Sequence, residues 1–85
     1  MTWTLRFTPV AERQVDALDP AIRHRILNAL ARLARNPRAA SNVKALMGAD
    51  HYRMRVGDWR VIYTLRDDVL VILVLRVAHR REVYR

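Results

Sequence analysis

The sequence predicts an α+β fold with the element order β-α-α-β-β-β, in which a helical hairpin packs on one face of a small, mostly antiparallel sheet. Three observations lead to this prediction: an alternating apolar segment at the N-terminus, two consecutive helix-start signals after it, and a change of the apolar period from helical to alternating after residue 50. With 85 residues, of which 52% are apolar, the chain suits one domain (1–85) with a single modest core.

The first predicted elements are a strand and a helix. The segment "TWTLRF" alternates, with Trp3, Leu5 and Phe7 on one face, which predicts a strand over residues 2–7. Thr8 then fits a helix N-cap, and the proline after it fits the first helical position. Apolar residues follow at helical spacing, and they are Ala11, Val15 and Leu18. These positions predict a first helix that ends before the next Asp-Pro pair.

A second helix is predicted to begin at Asp19-Pro20, which repeats the start signal of the first. It should end at Asn36-Pro37, because proline cannot continue a helix. Its apolar stripe consists of Ile22, Ile26, Leu30 and Leu33, widened by Leu27 and Ala29. The two helices are expected to form a hairpin that covers the sheet.

The second half of the chain is predicted to form three strands connected by two tight turns. Residues 37–50 precede them as a loop, anchored by Val43, Leu46 and Met47. The predicted strands cover residues 51–56, 59–66 and 69–77. The turns are Gly57-Asp58 and Asp67-Asp68, both of hairpin length.

The chain is strongly basic, with 16 Lys and Arg residues against eight Asp and Glu, a net charge of +8 and a pI near 11.4. Such a surface attracts polyanions, nucleic acid first and an acidic membrane or acidic protein next. The absence of cysteine excludes disulfides and thiolate metal sites and fits a cytoplasmic location. No metal-ligand cluster or phosphate-binding loop is recognisable, so neither a metal nor a cofactor is expected. The longest apolar run, residues 69–75, is too short to span a bilayer.

Three arginines are predicted to share one face of the first β-hairpin. A two-residue turn at 57–58 sets a register in which Arg55 lies opposite Arg60, and alternation places Arg53 on the same face. Like charges directly opposite each other cost up to ~1 kcal/mol, and neither strand supplies a carboxylate that would offset the repulsion. We interpret the cluster as a phosphate-binding site, and the alternative is a solvated cationic face with splayed side chains.

The same alternation turns the other side of these strands toward the helices. The residues expected there are Tyr52, Met54, Val56, Trp59, Val61, Tyr63 and Leu65. In the next hairpin, a turn at 67–68 is expected to pair Ile62 with Leu73. Thr64 would then face Val71. The arginine side would also carry Leu75, and the C-terminal tail or a partner should cover these apolar residues.

The stretch "YRMRVGDWRVIYTLRDDVLVILVLRVAHRREVYR" resembles the second half of bacterial toxins of the RelE/ParE superfamily, specifically its RelE branch. The shared features are a basic pair on a strand, a Gly-acidic-aromatic-Arg turn, an apolar last strand and a tail that ends in Glu-Val-Tyr. The resemblance implies a ribosome-dependent endoribonuclease, an mRNA interferase that cuts the messenger in the ribosomal A site. It also implies a cognate antitoxin that wraps the toxin, and it allows a heterotetramer or larger complex.

The resemblance places the family's functional positions on the strands and the tail. The basic pair corresponds to Arg53 and Arg55, the next strand's arginine to Arg60, the tail arginine to Arg80 or Arg81, and the catalytic tyrosine to Tyr84. The pair is often lysine in the family, and because arginine does not give up a proton near neutral pH, the identity of the base is open. His79 occupies a position that is often basic in the family, and His51 points to the arginine side by alternation, so both are additional candidates.

These residue types suit the cleavage of RNA by its own 2′-hydroxyl. Arginines stabilise the charge that develops on the phosphorane, and Tyr84 can act as base or donate to the leaving oxygen. Two other functions stay open: a non-catalytic RNA-binding module, and a ParE-like inhibitor of DNA gyrase that shares the fold. The arginines of the second helix are interpreted as a solvated face, and they are Arg23, Arg25, Arg32 and Arg35.

Overall fold

A computed structural model of the chain describes residues 2–39, 42–46 and 50–83. Within these ranges the helices are α1 (Pro9–Asp16), α2 (Pro20–Arg35) and α3 (Arg80–Val83), and the strands are β1 (Thr4–Phe7), β2 (Val43–Ala45), β3 (His51–Val56), β4 (Trp59–Arg66) and β5 (Val71–His79). The order confirms the predicted fold class and adds two short elements, the strand β2 and the helix α3.

The strands of the described residues form a single sheet in the order β1-β5-β4-β3-β2. β1 runs parallel to β5, and the other neighbouring strands are antiparallel. The helical hairpin follows the edge strand β1 and packs on one face of this mostly antiparallel sheet. The opposite face of the sheet is therefore left for other contacts.

The loop prediction is wrong in part, because Val43–Ala45 forms the edge strand β2. Val43 lies opposite Met54 and packs against the core. The pairing gives the loop backbone the hydrogen-bond partners that an irregular segment would otherwise have to find in water. Of the other predicted anchors, Leu46 is half-buried, and Met47 lies outside the described residues.

The core lies between the helical hairpin and the facing side of the sheet. The helical hairpin and its connection contribute Ala11, Val15, Leu18, Ile26, Ala29, Leu30 and Leu33, and the strands contribute Met54, Val61, Tyr63, Ile72, Val74 and Val77. The other predicted helix-facing strand residues are partly buried against this core, namely Tyr52, Val56, Trp59 and Leu65. Leu27 was expected in the stripe but is 37% exposed, because it is rotated by ~100° from its buried neighbour Ile26.

α1 begins at the predicted cap, and its polar side chains also bond to the sheet. Thr8 Oγ1 accepts from the Ala11 N–H at 3.2 Å and donates to the Leu75 carbonyl at 3.0 Å. Gln14 Oε1 accepts from the Val77 N–H at 2.7 Å. The bonds from Thr8 and Gln14 to β5 satisfy backbone groups beside a β-bulge in that strand. Those groups would otherwise lack partners in a neighbouring strand.

The predicted pairing of β4 with β5 is wrong by two residues at the turn. Thr64 lies opposite Leu73 instead of Val71, because the connection is a longer turn over residues 67–70. A two-residue hairpin would have needed left-handed backbone at Asp67 and Asp68. In the longer turn, Leu70 adopts the left-handed conformation instead, with a φ of 52°. β5 therefore starts two residues later than predicted.

A β-bulge changes the pairing again further along the same two strands. The register shifts between Ile62 and Tyr63, so that Ile62 lies opposite Arg76 and not opposite Leu73 as predicted. Leu75 is the extra residue on β5. The bulge turns Arg76 to the face of the sheet opposite the helices.

Candidate nucleic-acid interface

The sheet face turned away from the helical hairpin carries rows of basic residues, and we call it the arginine face. One row crosses four strands and consists of Lys44, Arg53, Ile62 and Arg76. The next row consists of Arg55, Arg60 and Ala78. This pairing confirms the predicted opposition of Arg55 and Arg60. The described strands contain no Asp or Glu, so no strand carboxylate offsets the positive charge of the face.

A third row extends the arginine face to the edge strand β1. His51 lies opposite Thr64, and Leu73 connects this row to Arg6. His51 is half-buried and lies ~7 Å along the strand from Arg53. The apolar residues predicted on this side are each half-buried, namely Ile62, Val71, Leu73 and Leu75. The face therefore presents apolar surface between its cations.

Arg60 differs from its neighbours because it is only 7% exposed. Its Nη1 donates to the Gly57 carbonyl at 3.0 Å and to the Trp59 carbonyl at 2.9 Å. Both carbonyls belong to the β3–β4 turn, where Gly57 has a φ of 59°, a left-handed conformation that glycine adopts without strain. Arg60 therefore stabilises the turn as well as contributing charge, whereas Arg55 is exposed.

The C-terminal tail returns to the same turn. The Arg80 N–H donates to the Asp58 carbonyl at 2.8 Å, and the Arg80 Nε lies 3.9 Å from Asp58 Oδ1. His79 packs edge-on against Trp59 with ring centroids 5.4 Å apart. The His79 Nδ1 accepts from the Arg81 N–H at 3.4 Å. These contacts hold α3 beside the β3–β4 turn.

The structure thus brings most of the predicted site residues to one corner of the sheet. The arginines at this corner are Arg55, Arg60, Arg80 and Arg81, and Arg53 lies two residues away on β3. His79 lies at the same end of the sheet but opposite Trp59, which packs against the core, and therefore on the helix side. His51 lies at the other end of β3, away from the corner. Tyr84, the predicted catalytic tyrosine, lies outside the described residues.

Sequence reasoning missed several basic residues of the arginine face. Arg6 could have been found, because it alternates with Leu5 and Phe7, which face the core. Lys44 lies on the arginine face because residues 43–45 form the edge strand β2, and Arg76 lies there because of the bulge in β5. No local pattern in the sequence predicts either of those features.

One arginine of α2 is not part of a solvated face, contrary to expectation. The Arg23 Nε donates to the Val15 carbonyl at 3.1 Å, and its Nη2 donates to the carbonyls of Asp16 and Leu18, each at 2.9 Å. These carbonyls lie at and just beyond the C-terminal end of α1, where the regular helical bonds end, and the Val15 carbonyl also accepts from the Leu18 N–H at 3.1 Å. The other predicted members are exposed, as expected, and they are Arg25, Arg32 and Arg35.

The core tyrosine Tyr63 is not a candidate for proton transfer. It is fully buried, stacks on Tyr52 with centroids 5.6 Å apart, and its hydroxyl has no hydrogen-bond partner among the described residues. Burial, and secondarily the charge that Tyr52 can carry, raises the pKa of Tyr63 to about 12. The hydroxyl therefore stays protonated across the physiological range.

Carboxylates near the arginine face occur in the turns, where exposed ion pairs join Arg66 to Asp68 at 3.6 Å and Arg80 to Asp58 at 3.9 Å. Exposed pairs of this kind contribute ~1 kcal/mol at most.

Within the described ranges, no three His, Cys, Asp or Glu side chains are grouped to hold a metal ion. In the same ranges, no helix is long and apolar enough to cross a membrane.

The fold of this chain, a helical hairpin on a small sheet, is also that of a known class of toxin. The chain matches the family model described as the ParE toxin of type II toxin–antitoxin systems over residues 5–84. It therefore belongs to the RelE/ParE superfamily of type II toxins.

Relatives from two organisms match all or nearly all of the chain. Toxin RelG of Mycobacterium tuberculosis is 31% identical over 86 residues, which cover 100% of this chain and 99% of that protein. A chain of the RelBE2 toxin–antitoxin complex of Mycobacterium tuberculosis has a TM-score of 0.82 at 31% identity, with 94% of this chain and 100% of that chain covered. A chain of the RelE–RelB complex of Pyrococcus horikoshii has a TM-score of 0.82 at 29% identity, with 94% and 97% covered.

Proposed function

We propose that the chain is a cytoplasmic mRNA interferase, an endoribonuclease that cuts messenger RNA in the ribosomal A site and so inhibits translation. The observation that supports the proposal best is the arginine face, whose strands contain cations and no carboxylate. Guanidinium groups donate paired hydrogen bonds to phosphate, and a cationic surface increases the rate of encounter with RNA. The similarity to RelE-type toxins supports the same reading.

In the proposed reaction, the 2′-hydroxyl of the RNA attacks the adjacent phosphate in line and expels the 5′-oxygen of the next nucleotide. The products are a 2′,3′-cyclic phosphate and a 5′-hydroxyl. Arg55 and Arg80, from the two elements that meet at the β3–β4 turn, would stabilise the negative charge of the phosphorane. Arg53 would bind the flanking phosphate, and Arg60 adds charge from its buried position.

Two residues of the tail are proposed to move the protons. Tyr84 would take the proton from the attacking hydroxyl or give one to the leaving oxygen. His79 is a further candidate, because it lies at the start of the tail and its Nδ1 accepts a hydrogen bond from the Arg81 N–H. Imidazole is suited to proton transfer near neutral pH, and contact with Trp59 fixes the ring orientation.

A cognate antitoxin is the second partner that we propose, besides the ribosome and its mRNA. The relatives from Mycobacterium tuberculosis and Pyrococcus horikoshii were solved as toxin–antitoxin complexes. The half-buried Ile62 and Leu73 lie among cations on the arginine face, which suits a segment with both acidic and apolar residues. Charge would accelerate docking of that segment, and apolar contacts would slow its release.

Substitution of Tyr84 tests the proposed chemistry. Tyr84→Phe keeps the ring and removes the hydroxyl, so single-turnover cleavage on programmed ribosomes should fall by ~10² to 10⁴ if the hydroxyl moves a proton. If the ring only stacks on a base, the Phe variant should cleave nearly as well as wild type, and only Tyr84→Ala should fail. Cosedimentation with ribosomes is the control, because the charges remain in both variants.

Analysis of the product ends provides an independent test. The 5′ fragment should end in a 2′,3′-cyclic phosphate or the 3′-phosphate derived from it, and the 3′ fragment should begin with a 5′-hydroxyl. Products with 5′-phosphate ends would contradict the proposed attack by the 2′-hydroxyl, whatever the variants show.

A second candidate is inhibition of DNA gyrase, because the matching family model is described by the name ParE. The order in which translation and DNA replication stop after expression distinguishes the two functions, and a supercoiling assay with purified gyrase tests the second directly. A non-catalytic RNA-binding module is the third possibility, and in that case Tyr84 should be dispensable.

A further inference from the structure

A groove between α2 and the edge formed by β2 and β3 is not used by the proposed cleavage reaction. One cavity of about 280 Å³ lies there, and its polar lining consists of Arg25, Asn28, Arg32, Asn42 and Arg55. A neighbouring cavity of about 450 Å³ shares Arg32 and Asn42 with it and extends along α2 to Asn36. We call the two cavities together the α2 groove.

The polar residues of the α2 groove are cations and neutral amides. Among the residues that the structure describes, no Asp or Glu lines either cavity. Arg25, Arg32 and Arg55 are exposed, and within the described part of the chain none of them forms an ion pair with a carboxylate. Their charges therefore add to a local positive potential that favours an anionic ligand.

Parts of the groove are held in place by the β3–β4 turn and by the end of β2. The Arg25 Nη2 lies 2.9 Å from the position that a Cβ of residue 57 would occupy, so the side chain can rest on the turn because Gly57 has no Cβ. On the other wall, the Asn42 Nδ2 donates to the Arg55 carbonyl at 2.8 Å, and the Asn42 carbonyl accepts from the Arg55 N–H at 3.0 Å.

The groove is continuous with the arginine face through Arg55. This residue lies opposite Arg60 on the arginine face, yet it also lines the smaller cavity. Its backbone bonds to Asn42 bring it to the wall of that cavity. A polyanion bound at the cleavage corner could therefore continue past Arg55 into the groove.

We infer that the α2 groove binds the phosphate backbone of an RNA strand, as a second RNA contact beyond the cleavage corner. Planar guanidinium groups match phosphate oxygens, and the amides of Asn28 and Asn42 can bond to sugar hydroxyls or base edges. The smaller cavity, lined mainly by arginine and asparagine, is the part of the groove that suits a phosphate backbone, whereas the larger one also carries the apolar Ala29, Leu33 and Met54. The inference concerns binding and does not require that the chain cleaves RNA.

The test measures equilibrium binding of a short fluorescent 2′-O-methyl RNA, which cannot be cleaved because its 2′-oxygen is blocked. The double variant Arg25→Gln/Arg32→Gln should bind about 20-fold more weakly, about fivefold for each exposed charge contact. The slope of log affinity against log salt should become shallower by about 0.7 for each lost phosphate contact. A loss of cleavage in the Tyr84 variants would leave this measurement unchanged.

Arg13→Gln/Arg35→Gln is the matched control, with the same change in net charge outside the groove. Arg13 donates only to the Pro9 carbonyl of its own helix, and neither residue lines the groove. The control should weaken binding clearly less than the groove variant does, because neither of its side chains lines the groove. If both double variants weaken binding equally, RNA responds only to net charge, and the inference is wrong.

Two further measurements separate the remaining outcomes. Arg25→Lys/Arg32→Lys keeps the two charges but loses the planar guanidinium groups, so it should still weaken RNA binding about threefold or more. The same variant replaces the Gln double variant in the test if the Gln double variant unfolds. Poly-L-glutamate serves as an acidic-protein probe. If the groove variants weaken its binding as much as they weaken RNA binding, the groove does not select RNA, and the inference fails.

Discussion

Arg60→Ala should destabilise the protein, although the residue belongs to a cluster of like charges. The substitution removes two hydrogen bonds from Nη1 to the carbonyls of Gly57 and Trp59, each worth ~1 kcal/mol net. It also relieves the repulsion from Arg55, which we set at ~0.5 kcal/mol for a directly opposite pair. The net loss in the free energy of unfolding is therefore about 1.5 kcal/mol.

For a domain of this size, 1 kcal/mol corresponds to a change in Tm of about 4–8 °C, so Arg60→Ala should lower Tm by about 6–12 °C. Thermal and urea unfolding followed by circular dichroism measure the effect. Arg55→Ala is the matched variant, because it removes the same repulsion from an exposed side chain without those bonds. It should stay within about 0.5 kcal/mol of wild type or become slightly more stable.

The same pair of variants separates a structural role from a role in cleavage. Arg55→Ala should reduce cleavage by ~10² or more, as is usual for one removed electrostatic donor, with the fold intact. Arg60→Ala must be assayed well below its lowered Tm. If Arg60→Ala has the Tm of wild type while Arg55→Ala is clearly destabilised, Arg55 and not Arg60 is the structural residue. That result would refute our reasoning about the turn.

Two further predictions concern the stability of the core and of α1. Tyr63→Phe removes a buried hydroxyl without a partner among the described residues and should raise the free energy of unfolding by ~1 kcal/mol at neutral pH. Because folding raises the pKa of Tyr63 from 10.0 to about 12, the wild-type protein should lose about 2–3 kcal/mol more of its unfolding free energy than the variant as pH rises from 10 to 12. Equal alkaline losses in both proteins would contradict this expectation. Arg23→Ala removes three bonds to the end of α1 and, at ~1 kcal/mol each, should cost ~3 kcal/mol in urea unfolding. The exposed Arg35→Ala should change stability by less than about 0.5 kcal/mol. Equal losses in both variants would show that those bonds contribute nothing.

The sequence by itself determines the features that depend on neighbouring residues. Thr8 and the proline after it start α1 where predicted, because cap and first-turn geometry are local. The pairing of Arg55 with Arg60 follows from a two-residue turn that contains Gly57, since such a turn and a period of two fix the register together. The opposition of Arg55 and Arg60 on one face of the sheet could therefore be predicted from the sequence.

Only the tertiary structure decides the features that depend on distant contacts. Arg76 reaches the arginine face because a bulge shifts β5 by one residue, and Gln14, far away in sequence, bonds to the backbone beside it. Arg55 and Arg60 are equivalent in the alternating pattern, yet one is exposed and the other is buried with its bonds to the turn. Alternation determines the face on which a side chain lies, but the burial of that side chain depends on which other parts of the chain pack against it.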